Sequence, residues 1–171
     1  MTSRVLMRPL IFAATVLRAA SITAQVPTMR PNAADSLLDH LVGKWTMVGQ
    51  VRGKAVTYHL DAARTLRGRY VELHMVDAAP QSDYEARVVI GVDTTGRGFV
   101  AHWMDSFGAS YSVPAGAGPL LPNAIQFSIP YPTGTFRDTF AFDPKAGTWH
   151  FRLEAFTNGR WSDFATYDVR R

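Results

Sequence analysis

The chain has 171 residues, close to the length of one domain, and its 47% hydrophobic and 19% charged composition excludes a disordered or fibrous protein. It has no cysteine, which excludes a disulfide scaffold, a thiol nucleophile and a thiolate metal site. Its formal net charge is +4, but Arg4, Arg8 and Arg18 stand in an acid-free N-terminal segment. The rest is nearly neutral and has no electrostatic footprint for nucleic acid.

Residues 1–24 have the three parts of a secretory signal. Arg4 and Arg8 supply the positive end, Leu10 to Leu17 the apolar stretch, and Ile22-Thr-Ala24 a small-residue cleavage site before Gln25. The apolar stretch is far short of the roughly 20 residues that span a bilayer. Export to a periplasm or beyond is expected, with no membrane span. Residues 25–32 hold Pro27 and Pro31 and read as a linker. A single domain is expected over 33–171.

Within it, Leu37, Leu38, Leu41 and Val42 fall at the spacing of a short amphipathic helix over Ala33–Val42, with Gly43 as its stop. From Lys44 the period changes to two, and turn signals recur about every ten residues. Strands are expected at Lys44–Arg52, Ala55–Thr65, Arg69–Val76, Tyr84–Asp93, Phe99–Asp105, Phe107–Val113, Ala124–Ile129, Thr135–Asp143, Thr148–Thr157 and Arg160–Arg170. Residues 114–122, with three prolines and two glycines, read as the longest irregular stretch. Asn158-Gly159 offers strong hairpin chemistry. No crossover helices alternate with these strands. Ten antiparallel strands in a flat sheet would leave long open edges, so the chain is expected to be all-β. The expected fold is a closed antiparallel meander barrel with the short helix capping one end.

Gly43-Lys-Trp45, after a short helix and opening the first strand, resembles the Gly-X-Trp opening of lipocalin-like (calycin) proteins. Leu41-Val-Gly-Lys-Trp45, Leu66-Arg-Gly-Arg-Tyr-Val-Glu72, Ile90-Gly-Val-Asp93 and Phe99-Val-Ala-His-Trp-Met-Asp-Ser106 are similar to a bacterial calycin-like family of unknown function. The resemblance implies a barrel of about ten strands, with Trp45 closing its floor under an arginine, Arg170 or Arg171. Haem-binding nitrobindin-type barrels are more distant in shape. Their proximal histidine lies near the C-terminus, where this chain offers only His150, so no haem or other cofactor is carried over.

His59, His74, His102 and His150 fall on the polar parity of their strands and are expected to face solvent, so no metal site is assigned. Ser106, Ser110 and Ser112 lie near His102 in sequence without forming a triad. The informative anomaly is charge on the apolar parity. Arg69 aligns with Val71 and Leu73, Asp105 with Trp103, Asp138 with Phe136 and Phe140, and Asp163 with Trp161 and Ala165. A carboxylate inside a barrel must find a partner, and Arg69 is the expected cation for Asp138. Asp138→Asn is then expected to destabilise by leaving Arg69 uncompensated. Tyr58, Arg69, Trp103, Asp105 and Asp138 are the candidate ligand-binding residues.

The leading functional reading is an exported protein that holds a small apolar or amphipathic molecule in its barrel. The alternative is a small enzyme using the Asp and Arg cluster for acid–base chemistry. A third reading is a filled barrel acting through its outer surface, as a homodimer or an envelope accessory protein.

Overall fold

A computed structural model describes residues 33–81, 84–112 and 114–171; the leader and linker expected over 1–32 lie outside the described residues. A nine-residue helix, α1 (Ala33–Leu41), buries Ala34, Leu37, Leu38 and Leu41 on one face. Ten strands follow: β1 (Gly43–Val51), β2 (Lys54–Thr65), β3 (Tyr70–Asp77), β4 (Glu85–Val92), β5 (Gly98–Asp105), β6 (Gly116–Leu121), β7 (Ala124–Tyr131), β8 (Gly134–Asp143), β9 (Thr148–Thr157) and β10 (Arg160–Arg170). Each pairs antiparallel with its neighbours in sequence, and β1 pairs with β10 to close the barrel. The expected all-β closed meander, with one short helix before the strands, is the observed architecture. No helix among the described residues is long and apolar enough to cross a membrane.

In such a meander the odd strands begin, and the even strands finish, at the same end of the barrel. That end carries α1. Two indole N–H groups hold the helix there: Trp45 Nε1 donates to the Leu41 carbonyl at 2.7 Å and Trp149 Nε1 to the His40 carbonyl at 3.3 Å. Carbonyls of the last helical turn have no partner within the helix, so these bonds act as a C-cap built from the barrel floor. Arg171 stacks its guanidinium 4.6 Å from the centre of the Trp45 ring and donates to the Val42 carbonyl at 3.2 Å. On the other side of the helix, Arg64 of β2 reaches Asp39 at 2.6 Å and Asp35 at 3.4 Å. Above this floor the interior is filled. Phe140 and Phe151 stack at 3.9 Å, and Phe127 meets the edge of Phe140 at 5.6 Å.

The number of strands agrees with expectation through two compensating differences. The segment expected as a strand over Phe107–Val113 contains a single 3-10 turn, Ala109–Tyr111, after Gly108 at φ +99°. The stretch expected to be irregular contains β6 instead. Its glycines read as breakers in sequence, yet they are there because the backbones approach closely. A Cβ on Gly118 would overlap the Gln126 carbonyl oxygen, and one on Gly116 would meet Ile129 Cγ1 at 2.7 Å. Gly118→Ala should therefore loosen the β6–β7 pairing and destabilise by about 1–3 kcal/mol, read as a lowered urea midpoint.

A second difference lies in β10. The register against β9 shifts between Asp163 and Ala165, so Phe164 is the extra residue of a β-bulge. The Phe164 carbonyl accepts the Arg52 N–H at 2.7 Å. Before the bulge the parity is reversed. Asp163, expected inside with Ala165, is exposed on the outer face and accepts Arg152 Nε at 2.7 Å. Trp161 also lies outside, with the Arg137 guanidinium 4.3 Å over its ring.

Candidate functional site

The end of the barrel opposite α1 is hollow. A cavity of 390 Å³ lies there, in the lower part of the roughly 300–1,000 Å³ range of small-molecule sites. Its walls are largely aromatic. Tyr58 comes from β2, Trp103 from β5, Tyr131 from the last position of β7 and Tyr167 from β10, while Tyr84 immediately precedes β4. Tyr58 stands 5.3 Å from Tyr84 and 5.6 Å from Tyr167, ring centre to ring centre. Phe136 meets Tyr131 edge-on at 5.6 Å and the bulged Phe164 at 5.0 Å. Phe107 stands exposed at the rim, 5.7 Å from Tyr84.

The charged groups in this lining are Asp105, Asp138 and Arg52. Arg52 sits in the exposed β1–β2 turn at the mouth. Asp105, at the end of β5, is half-buried and accepts the Phe107 N–H at 3.0 Å. Burial pushes its carboxyl up from the ordinary value, partly offset by hydrogen bonds from Phe107 and Trp103. Asp138 is only 2% exposed. In the ladder it stands opposite Phe127 and Leu153, and along β8 it lies between Phe136 and Phe140, so it forms the deep end of the cavity. Its Oδ1 is the one buried side-chain polar atom without a hydrogen-bond partner among the described residues. Desolvation alone pushes this carboxyl up to about 8.

The titratable groups facing Asp138 across the cavity are Tyr131 from β7, Tyr167 from β10, Asp105 from β5, Tyr58 from β2, Tyr84 before β4, and the exposed Tyr111 and Arg52 at the rim. Tyr58, Tyr84, Tyr131 and Tyr167 are raised above the usual phenol range, first by burial. The charge of Asp138 raises Tyr131 and Tyr167 further. Near neutrality the cavity is thus a ring of uncharged hydroxyls around two carboxyls. Tyr58 and Tyr167 hydrogen-bond to each other.

A larger hollow, 460 Å³, lies against Lys44, Trp45, His59, His74 and Arg171. It is a groove on the outer face of β1–β3, where His74 already holds Glu85 at 2.6 Å. Size does not make it the better site, because it contains no buried polar group in need of a partner.

A model of a protein family of unknown function, DUF1579, matches residues 30–171. The chain belongs to the DUF1579 family. Among curated proteins, none matches it.

In this DUF1579 barrel, Tyr58, Trp103, Asp105 and Asp138 of the five sequence candidates line one cavity. Arg69 does not. It lies in the exposed β2–β3 turn, one residue before β3, where Arg64 Nη1 donates to the Gly68 carbonyl at 3.2 Å. That turn belongs to the helix-bearing end, so the expected pairing of Arg69 with Asp138 is wrong. Strand parity places residues inside or outside only within a strand, and it does not say which end they occupy. The other lining residues stand outside that candidate set, four of them for identifiable reasons. Tyr131 was hidden between Pro130 and Pro132, Phe164 by the bulge, and Leu153 and Arg52 carried no distinguishing signal.

Proposed function

We propose that this protein is an exported barrel that binds a small, partly aromatic or amphipathic molecule through its open end. The observation that carries this reading is the half-hollow interior. One end is filled by the buried Phe127, Phe140 and Phe151, while the other keeps 390 Å³ walled by aromatics, with the buried carboxyl of Asp138 at its depth and its Oδ1 without a partner. A barrel acting only through its outer surface has no need of such a space. The Gly43-Lys-Trp45 opening and the Arg171 stack on Trp45 support kinship with calycin barrels, whose interiors hold ligands.

Native mass spectrometry of the protein purified from its own host tests the reading. A bound mass released on collisional activation is expected, and Leu153→Trp, which fills the cavity beside Asp138, should abolish it while leaving a folded barrel. A host-purified protein with no adduct, and no difference for the variant, would overturn the proposal. Export rests on the Arg4–Ala24 pattern. Mature protein should begin at or near Gln25, and N-terminal sequencing that finds Met1 or Thr2 on the protein in its host would sink that part.

Acid–base catalysis is a second reading, favoured by one observation: two carboxyls, Asp105 and the buried Asp138, face one cavity, and burial raises both above the ordinary value. It would show as conversion of the retained molecule, lost in Asp138→Asn.

A further inference from the structure

We propose that the occupant of the cavity is an organic cation, an ammonium group seated against the Asp138 carboxyl and enclosed by the aromatic faces of Tyr58, Trp103, Tyr131 and Tyr167. The inference rests on the small-molecule reading above and adds the chemical class.

The lining decides between classes of ligand. An anion would meet two carboxyls, Asp105 and Asp138, in a space of low dielectric, with Arg52 available only at the solvated mouth. A purely apolar ligand would seal Asp138 away while leaving Oδ1 unpartnered, at the cost of a buried polar group without a hydrogen bond. An ammonium supplies the missing partner. Its alkyl substituents also suit aromatic walls, because the negative face of each ring attracts a cation within about 6 Å of its centre. The rings are already held in place by one another, Tyr58 against both Tyr84 and Tyr167 and Tyr131 against Phe136, so they need little ordering on binding. Burial among apolar side chains raises the Asp138 carboxyl, so the ligand-free protein keeps a proton there near neutrality. Binding must then displace that proton.

The probes are phenethylammonium, whose N–H groups can reach the carboxyl, and propylbenzene, which match in shape and differ in charge, titrated calorimetrically. At pH 8 the cation should bind at least tenfold more tightly than its neutral isostere. Its affinity should rise up to about tenfold per pH unit below pH 8 and level off above it, with close to one proton released per ligand at pH 7. Asp138→Asn should erase both the charge preference and the pH dependence, and Asp105→Asn should weaken the preference partially. The pH profile of the wild-type protein needs no variant, so the test survives a poorly folding substitution. Equal or tighter binding of propylbenzene, with a flat pH profile, would overturn the cationic class and leave the small-molecule cavity standing. Binding of neither probe, together with no adduct on host-purified protein, would overturn both.

Discussion

Asp138→Asn should stabilise the protein by several kcal/mol above pH 8 and leave it nearly unchanged below pH 4. The sign follows from linkage. The carboxyl is raised from an ordinary value of 3.8 to about 8 in the fold, so between these pH values the folded state binds a proton that the unfolded chain has given up. Its favourable contribution is complete below pH 4 and is lost as the pH rises through 8, with a slope of up to about 1.4 kcal/mol per unit. Above that, an ionised carboxylate stands 2% exposed among Phe127, Leu153 and Phe140, without a cation. Asparagine has the same shape and no charge to desolvate. Urea unfolding of both proteins at pH 5 and pH 9 checks this, with the difference between them isolating Asp138 from every other titrating group. A constant difference across that range would mean that Asp138 is solvated or paired, and the cavity would lose its defining group. The direction is opposite to the one expected from an Asp138–Arg69 pair, which makes this experiment a direct test of the corrected geometry.

The fold was legible because alternation survives in most strands. Tyr58, Leu60 and Ala62 in β2, Val71, Leu73 and Met75 in β3, and Ala86, Val88 and Ile90 in β4 are all buried, as period two requires. It failed where the chain departs from period two for local reasons. In β6, Gly116 and Gly118 are demanded by β7 pressing close, and glycine looks the same in a turn as in a crowded ladder. In β10 the single bulged residue reverses the faces of everything before it, so Asp163 and Trp161 were put inside.

The site was partly legible for the same reason. Asp138 was found because its neighbours at two residues on either side are phenylalanines, and β8 is regular there. Its partner was misassigned, although a further step from sequence would have prevented it. Arg69 precedes the third strand and Asp138 lies nearer the beginning than the finish of the eighth, so in an up-and-down meander they belong to opposite ends. What alternation cannot supply is depth. The difference between the filled half, with Phe127, Phe140 and Phe151, and the hollow half, with its tyrosines, depends on how side chains from non-adjacent strands meet across the barrel.

At the filled end, Trp45→Ala should cost about 3–5 kcal/mol. The indole is 4% exposed and carries three connections at once: burial within the core, the bond to the Leu41 carbonyl, and the face on which Arg171 stacks. Truncation opens a cavity beneath α1 and returns one C-terminal carbonyl of the helix to an unpaired state. A nine-residue helix is too short to persist without its tertiary contacts, so its order depends on this floor. Trp45→Phe separates the contributions, because it retains most of the ring and removes the N–H; about 1–2 kcal/mol is expected for it. Trp149→Phe removes the neighbouring bond to His40. The two substitutions together should then depart from additivity by at least about 0.5 kcal/mol, since both indoles hold the same helical turn. Denaturant midpoints at unchanged m-value give all four numbers. A Trp45→Ala shift below about 1 kcal/mol would place the indole in solvent, and an additive double variant would mean that the two caps act on α1 independently.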